Sequence, residues 1–159
     1  MAPPGLKGVV VAETELGDVR GEQGFFHYRQ YSAVDLAEVR TFEDVWCLLV
    51  DGALPDPARQ AAFATEVRAL RKLPAGVSEV LAAIAGNGGA LDGLRTGLSA
   101  VGAALGLRPT WDLDPAARRA DALRLAAVTP TVVAALHRLA RGHAPIAPRA
   151  DHAPAAHNQ

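Results

Sequence analysis

Beyond residue 31 the apolar side chains recur every three or four positions, and this spacing continues to about residue 142. Such spacing places the apolar residues on one face of an α-helix, which can then pack against a neighbouring element. The polar residues between them fall on the opposite face, toward solvent. The pattern therefore predicts a mainly α protein. The predicted helices cover residues 41–52, 54–72, 73–86, 90–106 and 114–142.

The first 31 residues have a different pattern, in which β-branched and aromatic side chains predominate. Residues 8–14, GVVVAET, are rich in valine and predict a strand. Residues 15–24 contain three glycines, enough to reverse the chain, and FFHYR at 25–29 resumes strand-forming residues. We therefore predict a small N-terminal β-hairpin, which must lie on a larger body to be stable. The predicted organisation is a hairpin segment at 1–31, a helical portion at 32–142 and an irregular Pro- and His-containing tail at 143–159.

Several predicted helices carry recognisable end signals. Thr41, followed three residues later by Asp44, forms a capping-box-like pair at the start of the first of them. Asp56 is placed as the N-cap of the next helix, with a proline directly after it. In the last helix Pro130 lacks a backbone donor, so we expect it to kink or divide the helix, with Thr129 capping the second half.

Composition and charge narrow the class of protein. The chain has 159 residues, enough for one globular domain, and its 16 basic and 17 acidic residues nearly cancel. We therefore expect neither nucleic acid nor a membrane surface as a partner. The single cysteine, Cys47, cannot form an intramolecular disulfide and fits a cytoplasmic location. Because large apolar residues surround it, we expect a buried thiol with a raised pKa and low reactivity.

No local motif predicts catalysis or a bound cofactor. The five histidines show no helical spacing with one another or with Cys47, so the sequence predicts no metal site. The glycines of residues 17–24 lack the lysine and Ser/Thr of a phosphate-binding loop. A second glycine cluster, at 86–89, precedes a helix whose N-terminus could attract an anion, but the carboxylate of Asp92 would repel a phosphate there. We therefore predict no catalytic, cofactor-binding or metal-binding residue.

The helix predicted over 90–106 contains several small residues, which destabilise an isolated helix. Such a helix is reasonable where another helix approaches its backbone closely, either within the chain or across a subunit interface. Residues 90–106 and 115–141 are thus the predicted surfaces for self-association or for docking another part of the enzyme. The candidate interface residues are Gly93, Gly97, Ala100, Gly102, Val132, Val133 and Leu136.

Four stretches, in order, resemble the N-terminal portion of the citrate synthase family, in its bacterial citrate and 2-methylcitrate synthase forms. GLKGVVVAETELGDVRGEQGFFHYRQYSAVDLAE is similar to the family's opening hairpin, and TFEDVWCLLVDGALP to its first large helix. LRTGLSAVGA and TPTVVAALHRLARGHAPIAP are similar to two later helices and the segment after them. The resemblance implies the family's helical large domain, in part, and assigns the predicted small-residue helices to the subunit interface of a homodimer.

The chain also departs from the family pattern. Gln30 stands where the family usually has glycine, so a positive φ there would strain the backbone. GNGGALDG replaces the family's His-Pro approach to the helix at 90–106. The Gly-Pro-Leu-His-Gly-Gly-like and Gly-Phe-Gly-His-like segments that carry the family's catalytic histidines do not occur in these 159 residues. Arg29, Arg95 and His137 match no active-site motif, so the resemblance assigns no catalytic residue to this sequence.

Three functions follow from the resemblance. The first is an N-terminal fragment or split half of an enzyme that condenses acetyl-CoA with oxaloacetate to give citrate and CoA. It would supply scaffold and interface, be inactive alone and bind no cofactor, because the CoA thioester is the substrate of the full-length enzyme. The second is a non-catalytic assembly module derived from that fold. The third is the corresponding half of a 2-methylcitrate synthase, with propionyl-CoA as the donor.

Overall fold

The computed structural model describes residues 4–6, 8–10 and 12–149. In this part the chain forms six α-helices and one three-stranded antiparallel sheet, which confirms the predicted mainly α class with a small hairpin. Two compact units, Met1–Gln60 and Ala61–Gln159, each have their own internal contacts. The predicted three-part division into 1–31, 32–142 and 143–159 stays a prediction. The elements are β1 Gly17–Arg20, β2 Phe25–Tyr28, β3 Tyr31–Ser32, α1 Ala33–Val39, α2 Phe42–Asp51, α3 Pro57–Ala69, α4 Val77–Ile84, α5 Ala90–Ala104 and α6 Pro115–Leu139.

The predicted strand over residues 8–14 is wrong for the described residues of that range, none of which lies in a strand. The strand forms instead at β1, inside the segment predicted as a loop, and pairs antiparallel with β2 from Gly17↔Tyr28 to Arg20↔Phe25. Glycine is needed at position 17, because a Cβ there would collide with the backbone carbonyl oxygen of His27. Pairing with a partner, and not valine content, decides which residues become a strand.

A two-residue turn, Arg29–Gln30, joins β2 to β3, with Tyr28 opposite Tyr31. Arg29 has φ +50° and is the one non-glycine residue with a positive φ in the described part of the chain. The strain that a positive φ would impose on Gln30 therefore falls on Arg29. Positive φ at a central position suits tight hairpin connections, because their backbone twist matches that of the flanking strands.

α2 and α3 begin at the capping residues that the sequence predicts, whereas α1 is not among the predicted helices. The Ser32 hydroxyl caps α1, and Thr41 and Asp44 form the predicted capping box at the start of α2. Asp44 is only 3% exposed, and Gln60 donates a hydrogen bond to its carboxylate at 2.8 Å. Asp56 caps α3 as predicted, accepting a hydrogen bond from the Arg59 amide at 2.8 Å. The buried apolar side chains of this unit are Ala33, Leu36, Cys47 and Leu48.

The second unit is built on α4, α5 and α6, which pack against one another. Their shared core contains short branched or small side chains, so the helices approach closely. Two polar contacts add to this packing: Arg119 of α6 pairs with Glu66 of α3 at 2.7 Å, and the Thr131 hydroxyl donates to the Arg71 carbonyl oxygen at 2.9 Å. The buried core residues are Val77, Leu81, Val101, Val128, Val132 and Ala135.

The last helix runs unbroken through its proline. α6 is a single element of 25 residues with Pro130 inside it, so the expected division is wrong. Thr129 does not cap a second half, because its hydroxyl donates to the Leu125 carbonyl oxygen at 2.7 Å, one turn earlier in the same helix. The buried face of α6 packs on α4 and α5 on both sides of the proline, which stabilises the helix despite the lost donor.

By length and composition alone α6 could cross a membrane, and a third of its most apolar window is buried inside the protein. Residues 143–149, the described part of the predicted irregular tail, contain no helix or strand. The prediction for residues 150–159 lies outside the described residues.

Candidate functional site

The contact between α5 and α6 is closest at two glycines of α5. A Cβ at Gly97 would lie 2.8 Å from Leu81 Cδ2 and 2.9 Å from Val132 Cγ1, inside normal contact distance. A Cβ at Gly93 would lie 3.4 Å from Leu136 Cδ1. The small residues at these two positions are thus required by packing within the chain.

The structure distributes the seven candidate interface residues over different environments. Gly93, Gly97 and Val132 are buried, and Leu136 packs against the core from its edge. Gly102 faces open space, and Val133 is 43% exposed. Ala100 is half-buried. The intramolecular alternative therefore accounts for part of the set, and an interface through the exposed members remains a prediction.

A cavity of about 360 Å³ lies where the loop between α4 and α5 meets the C-terminal end of α6. Its apolar wall includes Leu94, Leu136 and two well-exposed residues, Leu91 at 80% and Val133 at 43%. The backbone of the glycine cluster at 86–89 forms the opposite wall. A concave, mostly apolar cavity with few polar groups is the usual form of a small-molecule site.

The polar side chains that line this cavity belong to Asn87, in the loop between α4 and α5, and to His137 and Arg141 at the end of α6 and just after it. His137 and Arg141 lie one turn apart and both line the cavity. The Arg141 Nη1 atom is 2.7 Å from His137 Nδ1 and 2.6 Å from His137 Nε2. Within the described residues no carboxylate forms an ion pair with Arg141, so the cavity carries a positive charge that the protein does not neutralise there.

The glycine cluster before α5 does not form an anion site at the helix end. Asp92 occupies the first turn, where its Oδ2 atom accepts a hydrogen bond from the Gly89 amide at 3.2 Å. Arg95 pairs with the Oδ1 atom of the same carboxylate at 3.1 Å. The carboxylate thus takes the place that an external anion would need.

Cys47 is buried, at 1% exposure, as the sequence predicts. Burial, together with a hydrogen bond from its Sγ atom to Asp51 Oδ2 at 3.5 Å, raises the pKa of the thiol. Arg59 forms an ion pair with the same aspartate. The apolar residues around Cys47 do not predict this carboxylate, although Asp51 lies four residues later, one helical turn away.

The other residues with reactive side chains that the sequence analysis considered do not line this cavity. Within residues 4–6, 8–10 and 12–149, no three His, Cys, Asp or Glu side chains are grouped to hold a metal ion. His27 lies in β2 opposite Asp18 and Ser32. The Arg29 guanidinium donates hydrogen bonds to the carbonyl oxygens of Leu48 and Leu49, at 2.8 and 3.0 Å, near the end of α2.

The evolutionary relationship is decided by a family model described as citrate synthase, C-terminal domain, which matches residues 5–159. The chain belongs to the citrate synthase family. A 2-methylcitrate synthase from Mycobacterium tuberculosis is 41% identical over 144 residues, which cover 91% of this chain and 36% of that protein. A citrate synthase from Acidithiobacillus ferridurans is 32% identical over 154 residues, covering 93% of this chain and 39% of that protein.

Solved citrate synthase structures share this fold. The crystal structure from Thermotoga maritima matches with a TM-score of 0.81 and 30% identity, covering 97% of this chain and 39% of that one. The citrate synthase structure from Pyrobaculum aerophilum matches with a TM-score of 0.83 and 27% identity, and the match covers 94% of this chain and 39% of that one. The chain therefore spans between 36% and 39% of the length of these citrate synthase relatives.

Proposed function

We propose that this chain supplies the scaffold and subunit-interface portion of a citrate synthase-type enzyme that condenses acetyl-CoA with oxaloacetate. The observation that carries the proposal is the family match over residues 5–159, in a chain that spans less than two-fifths of its relatives' length. The helical second unit supports it, since packed helices form a rigid base for a site completed by other residues.

Catalysis in the complete enzyme would come from residues outside this chain. By family resemblance, an aspartate removes a proton from the methyl group of the acyl thioester, one histidine stabilises the enol and another polarises the ketone. The sequence contains neither family segment that carries those histidines. We therefore propose that the chain alone is inactive, and that it acts in the cytoplasm as a homodimer or with the remaining part of the enzyme.

A second candidate is the same role in a 2-methylcitrate synthase that uses propionyl-CoA. The 41% identity to the Mycobacterium tuberculosis 2-methylcitrate synthase favours it. The two donors differ by one methylene group, whose burial is worth about 0.8 kcal/mol, so one pocket could discriminate between them only modestly.

A third candidate, a non-catalytic assembly module, rests on the exposed apolar side chains next to the cavity. Leu91 and Val133 would be covered if an intact synthase or a second copy packed against α5 and α6. This role requires association without thioester chemistry.

The test is release of the CoA thiol by the purified chain, given oxaloacetate and either acetyl-CoA or propionyl-CoA. The chain should be produced in a synthase-deficient host and mixed with the part of the Mycobacterium tuberculosis 2-methylcitrate synthase that it does not cover. We expect no turnover from either part alone and turnover from the mixture. Faster turnover with acetyl-CoA would favour the first candidate, and faster turnover with propionyl-CoA the second. Turnover by the chain alone would refute the scaffold role, and stable association without turnover would favour the assembly module.

A matched pair of variants tests the interface in the same assay. Val133→Glu places a charge on the exposed apolar side of α6, and Ala126→Glu places the same charge at another exposed position of that helix. Val133→Glu should reduce association, measured by light scattering, by tenfold or more, about 1.4 kcal/mol, whereas Ala126→Glu should leave it unchanged. Equal effects of the two variants would contradict an interface at Val133.

A further inference from the structure

We propose that Asn87, in the loop between α4 and α5, is a site of spontaneous deamidation through the backbone nitrogen of Gly88. Asparagine is among the chemically labile residues, and a glycine after it leaves the attacking nitrogen unhindered because glycine has no Cβ. Both residues are exposed and lie outside the helices and strands, so water reaches them. The site lies outside the surfaces predicted for self-association, at 90–106 and 115–141, and it does not depend on the condensation reaction proposed above.

The reaction needs only these two residues and water. After the Gly88 amide loses its proton to a base from the solvent, its nitrogen attacks the side-chain carbonyl carbon of Asn87, and the new C–N bond closes a succinimide ring. The side-chain nitrogen of Asn87 takes up a proton and leaves as ammonia. Water then opens the ring at either carbonyl and gives aspartate or isoaspartate. An amide is thus exchanged for a carboxylate, and nothing is oxidised or reduced.

The backbone hydrogen bonds select this position over the other pairs in the sequence that can close the same ring. Those pairs are Asp51–Gly52 and Asp92–Gly93. The Gly52 amide donates to the Leu48 carbonyl oxygen at 2.9 Å, and the Gly93 amide donates to the Gly89 carbonyl oxygen at 3.2 Å. In the part of the chain that the structure describes, the Gly88 amide donates no hydrogen bond. Its nitrogen can therefore react without a helix end opening first, whereas the nitrogens of Gly52 and Gly93 cannot.

Deamidation at this position acts on the end of α4. The Asn87 Nδ2 atom donates a hydrogen bond to the Ala83 carbonyl oxygen at 3.0 Å, in the last turn of that helix. Carbonyl groups at a helix C-terminus lack helical donors, and the helix dipole makes this end partially negative. A carboxylate at position 87 cannot donate a hydrogen bond, and the helix end repels its charge. The product therefore loses this cap and weakens the C-terminal turn of α4.

The test is peptide mapping by mass spectrometry of the full 159-residue chain after incubation in mildly alkaline buffer, native and unfolded in urea. Asn158, which precedes glutamine, is the matched asparagine in the same chain. In the native chain we expect Asn87 to deamidate at least about tenfold faster than Asn158, and within about tenfold of its own rate in urea. Isoaspartate at Asp51 and Asp92 should form far more slowly in the native chain than in urea. Equal native rates at the two asparagines, or equal protection of Asn87 and these aspartates by the fold, would overturn the proposal.

Variants separate the reaction from its effect on α4. Asn87→Gln keeps an amide but must close a larger ring, so its conversion to the acid should be at least about tenfold slower. Asn87→Asp reproduces one product, and Asn158→Asp makes the same charge change elsewhere. Hydrogen exchange at the Ala85 amide, which donates to the Leu81 carbonyl oxygen at 3.0 Å, should be at least about threefold faster in Asn87→Asp than in Asn158→Asp. Circular dichroism should show that the variants remain folded, and equal exchange in the two aspartate variants would refute the effect on α4.

Discussion

At the scale of single residues, packing distance decides where a side chain is tolerated. Gly97 and Gly102 lie on the same helix and have the same intrinsic helix propensity, yet only Gly97 faces other atoms at close range. A Cβ at position 97 would meet Val132, whose β-branched side chain has little rotamer freedom to move away. Replacing Gly97 or Gly102 by alanine should therefore change the free energy of unfolding in opposite directions.

We expect Gly102→Ala to raise the free energy of unfolding by up to about 1 kcal/mol, since alanine is the better helix former. Gly97→Ala gains the same propensity but overpacks the core, at a cost of about 1–3 kcal/mol. Urea denaturation of both variants beside the unmodified chain measures the difference. Equal stabilisation by the two substitutions would contradict the close approach at position 97.

Gln30→Gly tests where the turn strain lies. Because Arg29, and not Gln30, has the positive φ, glycine at position 30 relieves no backbone strain. The free energy of unfolding should stay the same or fall by up to about 1 kcal/mol through the added chain entropy. Gln23→Gly, at another exposed glutamine with ordinary φ, is the matched control, and a stabilising effect at position 30 alone would show that this residue is strained.

The thiol of Cys47 should make stability depend on alkaline pH. Its pKa is raised in the folded state, mainly by burial, so the unfolded chain loses its proton first as pH rises. The unfolded state then binds fewer protons, and stability should fall above about pH 8.5 with a slope of at most about 1.4 kcal/mol per pH unit. Urea midpoints between pH 7 and 10 measure this slope.

Cys47→Ala removes the titrating group and should flatten this part of the pH profile, whatever it does to stability at pH 7. An unchanged alkaline slope in the variant would rule out the thiol as the source. Iodoacetamide should also modify the native thiol far more slowly than the urea-unfolded one, because the attacking form is the thiolate.

At the scale of elements, Arg29 joins the hairpin turn to α2. Its side chain is only 18% exposed, and it donates to the carbonyl oxygens of Leu48 and Leu49 at the end of the helix, where backbone donors become scarce. A cation at that end is also favoured by the helix dipole. These contacts give a physical reason for accepting a positive φ in the turn.

Arg29→Met should therefore lower the free energy of unfolding by about 2 kcal/mol, because two hydrogen bonds from a charged donor are lost. Arg20→Met removes another hairpin arginine, whose ion pair with Asp18 is at least half exposed. That control should change stability by less than about 0.5 kcal/mol. Similar losses in both variants would indicate a general effect of charge.

Elements were predictable where the determining contacts are local. The caps at Thr41 and Asp56 depend on residues three positions away, and both were predicted. The strand at β1 depends on its pairing with β2, and the continuity of α6 through Pro130 depends on packing against α4 and α5. The cavity joins residues about 45 positions apart in sequence, such as Leu91 and Leu136, which no local pattern brings together.

At the scale of the whole molecule, the two units differ in the cores that hold them. Among the described residues, the core of the first unit consists of Ala33, Leu36, Cys47 and Leu48, whereas α4, α5 and α6 of the second share a six-residue cluster with further residues packed around it. A unit of about 60 residues buries a smaller fraction of its surface than a unit of about 100 residues does, and it is correspondingly less stable. Local stability should thus vary along the chain.

Hydrogen exchange followed by mass spectrometry should show this difference. Amides of α1 and α2 should exchange before those of α5 and the central part of α6, after correction for intrinsic rates. Uniform protection across both units would show that they unfold as one cooperative body. Fast exchange confined to the amides at helix ends would instead indicate fraying of the helices, without a difference between the units.

The close contact at Gly97 also limits how this sequence can change over generations. Every single-base change in a glycine codon that alters the residue introduces a side chain or a stop, so no neighbouring codon preserves the space between Leu81 and Val132. Larger residues at 97 become acceptable only after one of these two neighbours has become smaller. The order of substitutions is therefore constrained here, and lineages that reach a larger residue at 97 must first pass through a chain with a cavity in its core.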